Sequence, residues 1–225
     1  MFILAAMLAA CGKIKTLPTS VLEKADGGPD CVDSEALTPV YSGCFSFENG
    51  GLDNLSNTGS GGAGFTAIAN STEHVYKGSH SLKVTCNFTG TNDLATGKAA
   101  IARTFGPSTS VDMSGRTITV YVWVPANMFA SNLPYGAILF VQDNNWTWFQ
   151  SPWVNLTLPG GSAAGVWTKF TAYIDAMVDT SSVVIPAASK QHIYKWGIQI
   201  GKGGDNVTGS SDYNGALYVD SISIE

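Results

Sequence analysis

The chain has 225 residues, enough for one domain of about 150–200 residues plus a tail. Only 13% of the residues are charged, and Gly, Thr, Ser and Asn fill the spaces between apolar residues, which is the composition of an all-β protein whose polarity comes from neutral hydrogen-bonding groups. The formal net charge of −5, without any Lys/Arg cluster able to track a phosphate backbone, argues against nucleic acid as a partner.

The N-terminus reads 1-MFILAAMLAACGKIK-15. Its apolar stretch, 2–10, is too short to cross a bilayer as a helix and has the character of the h-region of a secretory signal. Residues 8-LAAC-11 resemble the lipobox of bacterial lipoproteins. That resemblance implies cleavage before Cys11, lipidation of its thiol, and a monomeric domain tethered to the bacterial cell envelope, at the periplasmic or surface face of the outer membrane. Acyl chains hold a protein by about 0.8 kcal/mol per buried CH₂, so the lipid would be its only membrane contact. No Lys or Arg precedes the apolar stretch, which departs from the pattern. An ordinary cleaved signal is the other reading.

Residues 12–40 hold Pro18, Pro29, Pro39 and a Gly-Gly pair without sustained periodicity, and are expected to be a flexible spacer. The domains are thus 1–11 as signal, 12–40 as linker and 41–225 as the folded unit. Export permits disulfides. With Cys11 set aside, Cys31, Cys44 and Cys86 remain. Cys31–Cys44 closes a short loop, and Cys44–Cys86 is the rival pairing. Cys86 lies in the apolar run 82-LKVTCNF-88 and reads as a buried thiol.

From Tyr41 onward, short period-two runs alternate with Gly/Asn/Asp/Ser clusters. Strands are expected at 43–48, 64–69, 80–88, 98–105, 116–124, 136–142, 147–158, 166–174, 193–201 and 215–225, with a loop from 49 to 62. No stretch keeps helical spacing over three turns. This pattern predicts an all-β, two-sheet antiparallel β-sandwich. In 116-RTITVYVWV-124, Ile118, Val120, Val122 and Val124 share one face, so Tyr121 and Trp123 point the other way, which is unusual for a monomer. In 193-IYKWGIQIG-201, the core set is Trp196, Ile198 and Ile200, with Gly197 and Gln199 outward. In 136–142 the alternation leaves Ile138, Phe140 and Gln142 on one side, a greasy outer face that periodicity alone does not settle.

Three of the six tryptophans fall within eight residues, in 143-DNNWTWFQSPW-153. Trp is costly to expose and hard to bury completely. Flat apolar rings beside short amides suit a ligand with apolar faces and hydroxyl edges, which describes a sugar. The set Tyr121, Trp123, Trp146, Trp148 and Trp153, with Gln142, Asp143, Asn145 and Gln199, is the candidate platform; core or rim packing is the plainer reading, expected for Trp167 and Trp196. Trp153 is the member least expected to face a ligand, because Pro152 before it suggests a bend or sheet edge. Of six Asn-x-Ser/Thr sequons, two fall at 145–147 and 155–157; beside a bacterial lipobox they read as strand chemistry.

Glu48 at the end of the first strand and Asp220 in the last are acids within apolar patterns, where a bare carboxylate is costly. A shared hard cation, completed by a carbonyl of the turn 75-VYKGSHSL-82 at Lys77 or His80, would satisfy both. A loop cap is the alternative.

The runs 45-FSFENG-50, 75-VYKGSHSLKV-84, 196-WGIQIG-201 and 217-LYVDSISIE-225 resemble non-catalytic carbohydrate-binding modules of the galactose-binding-like jelly-roll type. The segment 139-LFVQDNNWTWFQSPWVNLT-157 resembles their mannan- and glucan-binding members. The resemblance covers roughly residues 43–225. It implies a structural Ca²⁺ held by Glu48, the Lys77 carbonyl and Asp220. It also implies a polysaccharide or oligosaccharide ligand in a groove lined by Tyr121, Trp123, Gln142, Trp146, Trp148 and Gln199. No catalytic pair is apparent: the five glutamates do not alternate on one strand as a glycosidase would need. A surface structural or adhesion protein, and a jelly-roll hydrolase or a lyase using Tyr121 with His192, are the other readings.

Overall fold

Alternation along each strand decides which side chains meet between the sheets. A computed structural model describes residues 20–24, 31–58, 65–88, 98–106, 108–129, 135–157, 164–202 and 213–225. In chain order its strands are β1 (Ser20–Lys24), β2 (Ser34–Ala36), β3 (Ser42–Phe45), β4 (Leu55–Thr58), β5 (Phe65–Ser71), β6 (Ser81–Phe88) and β7 (Lys98–Thr104). They continue as β8 (Thr117–Trp123), β9 (Tyr135–Asp143), β10 (Trp148–Gln150), β11 (Val154–Asn155), β12 (Trp167–Tyr173), β13 (Ile193–Lys202) and β14 (Tyr213–Ile224). The described helices are single turns at Ala126–Phe129, Ile174–Ala176 and Ala187–Lys190.

The strands pair antiparallel and form two sheets. The first runs β1-β12-β8-β14. On the far side of β14, β6 and then β5 pair along its first half, and β3 and then β2 along its second. The second sheet runs β10-β9-β13-β7-β4, with β11 also on β9. The chain is therefore an all-β, two-sheet antiparallel β-sandwich.

Ile118, Val120 and Val122 of β8, with Val124, face Ala137, Leu139 and Val141 of β9 and Trp196, Ile198 and Ile200 of β13 across a single core. Withdrawing each large aliphatic side chain from water contributes about 1.5–3 kcal/mol. Trp196 is in the core as expected, and its N–H donates to the Tyr41 hydroxyl at 3.3 Å. Cys86 is a buried free thiol on β6, and burial pushes its pKa far up.

The expected spacer needs correction. Ser20–Lys24 pairs with β12, and Ser34–Ala36 pairs with β3, so both belong to the sandwich. Such pieces are too short to show periodicity; backbone hydrogen bonds to a sheet edge hold them, and composition does not record those. Cys31 and Cys44 form a disulfide with Cα atoms 5.5 Å apart, which ties β2's approach to β3. Cys11 and the segment 1–11 lie outside the described residues. The expected loop 49–62 contains β4, which pairs with β7. The strand expected at 147–158 is split into β10 and β11 around Pro152, which has no N–H to offer a ladder.

Candidate functional site

β9 presents two series. Ala137, Leu139 and Val141 enter the core, so Gly136, Ile138, Phe140 and Gln142 face outward. The same alternation puts Lys195, Gly197 and Gln199 of β13, Ala100 and Ala102 of β7, and Trp148 and Gln150 of β10 on this outer face. Register aligns them in rows: Trp148–Gln142–Lys195–Thr104, and Gln150–Phe140–Gly197–Ala102.

The face is built on an aromatic stack. The Trp148 indole lies on the Phe140 ring, with centroids 3.9 Å apart and planes 13° from parallel. Phe140 is thereby fully buried although it points away from the core, with Ala100 and Ala102 beside it. Trp148 remains partly exposed, and its N–H donates to Gln150 Oε1 at 2.8 Å, fixing the indole's rotation.

Trp153 belongs to the same face. Val154 packs against the core, so its neighbours Trp153 and Asn155 turn outward. A Cβ at Gly136 would collide with the indole of Trp153; glycine there leaves the ring its seat. The Trp153 N–H donates to Asn155 Oδ1 at 3.2 Å. From Gly136 to Gln142 the face runs about 20 Å along β9.

The other end of the face is the β9–β10 turn. Asp143 Oδ1 accepts the N–H groups of Asn145 and Thr147 at 3.0 and 2.9 Å, and Oδ2 accepts the Ser189 hydroxyl at 2.8 Å. On this scaffold Trp146 adopts φ +66°, a region bulky residues rarely enter, and is 65% exposed. Its ring centroid lies 5.0 Å from that of Tyr194. Gln142 Nε2 donates to the Trp146 carbonyl at 3.0 Å, while its Oε1 is buried without a hydrogen-bond partner.

The six expected ligand residues therefore divide. Gln142, Trp148 and Gln199 share this face, and Trp146 stands at its rim. Tyr121 and Trp123 point outward from β8, on the first sheet, on the opposite side of the sandwich. They are also covered: Tyr76 stacks on Tyr121 at 4.0 Å, His74 stacks on Trp123 at 3.7 Å, and the Trp167 N–H donates to the Val75 carbonyl at 3.1 Å. Alternation tells which side of a sheet a residue takes but not which sheet a strand joins, so the single groove dissolves into two faces. Phe140, Gln150 and Lys195 were absent from the expected set. The signal for Phe140 was the greasy outward series 138–142 itself.

The acids expected to hold Ca²⁺ grip one turn from two directions. Asp220 Oδ2 accepts the N–H groups of Tyr76 and Lys77 at 2.8 and 3.3 Å, and Oδ1 accepts that of Ser221 at 2.6 Å. Glu48 accepts the N–H groups of Ser79 and His80, each at 2.9 Å, and the Ser79 hydroxyl at 2.7 Å. These bonds hold the Glu48 carboxyl below the usual range even though its desolvation pulls the other way, while burial raises that of Asp220 to about 6. The positive ends of four backbone N–H groups of the turn point at the oxygens a cation would need. Among the described residues, no three His, Cys, Asp or Glu side chains converge. In this arrangement Glu48 and Asp220 act as caps of the turn that carries Lys77.

The Tyr121–His192 pair a lyase would use is divided between the two sheets. Tyr121 lies under Tyr76 on the first sheet, whereas His192 precedes β13 of the second. The outward positions named on β7, β9, β10 and β13 carry no Asp or Glu.

No protein-family profile matches the chain, and no curated protein is significantly similar to it in sequence. Its structure is similar to carbohydrate-binding modules. One, described for the promiscuous specificity of modules from the β-sandwich superfamily, has 19% identity and a TM-score of 0.52 over 80% of this chain; the chain spans 60% of that protein's length. The Caldicellulosiruptor saccharolyticus CBM27-1 module, solved with mannohexaose, has 13% identity and a TM-score of 0.57, over 82% of this chain and 97% of the module. CBM28, specific for non-crystalline cellulose, has 15% identity and a TM-score of 0.50, over 87% and 97%. The fold is that of the β-sandwich carbohydrate-binding modules.

Proposed function

We propose that the chain binds polysaccharide without cleaving it, through the outer face of the second sheet, with a β-mannan or β-glucan type of backbone as the ligand. The observation that carries this reading is the Trp148–Phe140 stack flanked by Gln142, Gln150 and Gln199. A ring with apolar C–H faces lies on the indole, and the amides meet hydroxyls at its edge. Trp153 and Trp146 extend the platform at its two ends. The similar folds of modules solved with mannohexaose, or specific for non-crystalline cellulose, support the ligand class. The Cys31–Cys44 disulfide supports export, since such bonds persist in oxidising compartments. Tethering through a lipid on Cys11 is part of the same proposal.

The test is affinity electrophoresis in gels containing soluble mannan or β-glucan, with a reducing-end assay alongside. Retardation without new reducing ends, abolished by Trp148→Ala, is the expected result. Retardation that survives in Trp148→Ala would move the site elsewhere, and new reducing ends would make the protein an enzyme.

A further inference from the structure

Lys195 is out of place on a neutral sugar platform. It is 7% exposed, in the row between Gln142 and Thr104, yet it makes no hydrogen bond or ion pair with any described residue. Its ammonium lies 5.9 Å from the centroid of the Tyr194 ring, a weak contact. The lysine's stem is packed on the sheet while its ammonium is only partly withdrawn from solvent, and the outward positions of the face hold no acid to pair with it. Burial alone lowers the lysine's pKa, as expected for a cation lacking a partner. Beside it in the row, Gln142 Oε1 is the buried acceptor without a donor, and the other end of that amide is already committed to Trp146. An uncompensated cation and an unfilled acceptor thus sit side by side.

We propose that this face takes an acidic polysaccharide, one whose sugars carry uronate carboxylates or sulfates, with Lys195 receiving the anion. The inference rests on the sugar-binding reading of the face and adds the charge of its ligand. A neutral sugar offers hydroxyls to Lys195 but leaves its charge uncompensated; an anion removes that cost, so the two ligands differ where the site is least satisfied. The chain's net charge of −5 gives no general attraction for anions, so the preference is local to Lys195.

The experiment is titration calorimetry of the full chain with mannohexaose, hexamannuronate and sulfated mannohexaose, at low and high salt. At least one acidic ligand is expected to bind about tenfold tighter than mannohexaose, with the advantage shrinking as salt rises. The two acidic ligands separate carboxylate from sulfate. Lys195→Met and Lys195→Gln, each checked for cooperative melting, are expected to bring the ratio near one, whereas Trp148→Ala weakens every ligand. Mannohexaose bound as tightly as both acidic ligands, or a preference that persists in both lysine variants, overturns the proposal while leaving sugar binding intact. No binding of any of the three removes the sugar-binding reading itself.

Discussion

The Trp148 indole covers Phe140 on the outside of the sandwich, its plane 13° from that of the ring beneath it. Two large aromatics spent on an outer face, without joining the core, need a use beyond folding. The opposite face supplies the contrast, because Trp123 is stacked against the protein's own His74. Trp148→Ala is therefore expected to weaken polysaccharide binding by about 2 kcal/mol, roughly 30-fold, as for a central anchor. Trp123→Ala is expected to lower the melting temperature and leave binding unchanged. Isothermal titration and thermal melts on the two variants decide it; equal losses of binding would show that the faces are wrongly assigned.

Gly136 is a second place where the platform is legible as packing. In Gly136→Ala the new methyl group meets both the Trp153 indole and the Val154 carbonyl, so the ring has to leave its seat. The expected outcome is a red-shifted tryptophan emission with weakened binding. Unchanged emission and affinity would mean that Trp153 is not held as described.

Lys195 gives a prediction about stability as well as ligand choice. Its folded pKa lies below the ordinary lysine value, so the folded state binds fewer protons than the unfolded state across an alkaline window. Stability then rises with pH from the lowered pKa up to about 10.4, because the cost of the buried charge disappears there. Lys195→Met lacks this step. It is expected to melt higher than the parent near pH 7, with the gap narrowing as pH approaches 10. A gap that widens, or a variant that melts lower at pH 7, would contradict the partial desolvation of an unpaired ammonium.

The grip on the 76–80 turn predicts how the protein answers to chelation. Because backbone N–H groups already satisfy Glu48 and Asp220, EDTA is expected to leave the melting temperature unchanged. Asp220→Ala strands the N–H groups of Tyr76 and Lys77, at about 1–3 kcal/mol for each group left buried and unpaired. A fall of several degrees in EDTA, reversed by Ca²⁺, would instead establish the metal that the sequence resemblance implies.

Much of the sandwich is readable from local pattern. The strands around Ile118–Val124 and Trp196–Ile200 alternate cleanly because one side of each is buried in the core. β1, β2 and β4 escape notice for the opposite reason: each has five residues or fewer and is recruited by a sheet edge. The site was half legible. Gln142, Trp148 and Gln199 face outward for reasons the alternation contains, but the partition of Tyr121 and Trp123 onto another sheet depends on strand order, which is set by contacts far apart in the chain. Trp153 is the weakest member of the expected set because Pro152 marks a break, and that break falls between two strands that share the same edge of β9.

β1 lies on the edge of the first sheet, beyond β12, while the platform is the outer surface of the second. The platform and the β1 edge therefore belong to different sheets of the sandwich. On the first sheet His74 and Tyr76 already occupy the ring faces of Trp123 and Tyr121, so a polymer would find its stacking partners among Trp146, Trp148 and Trp153 instead.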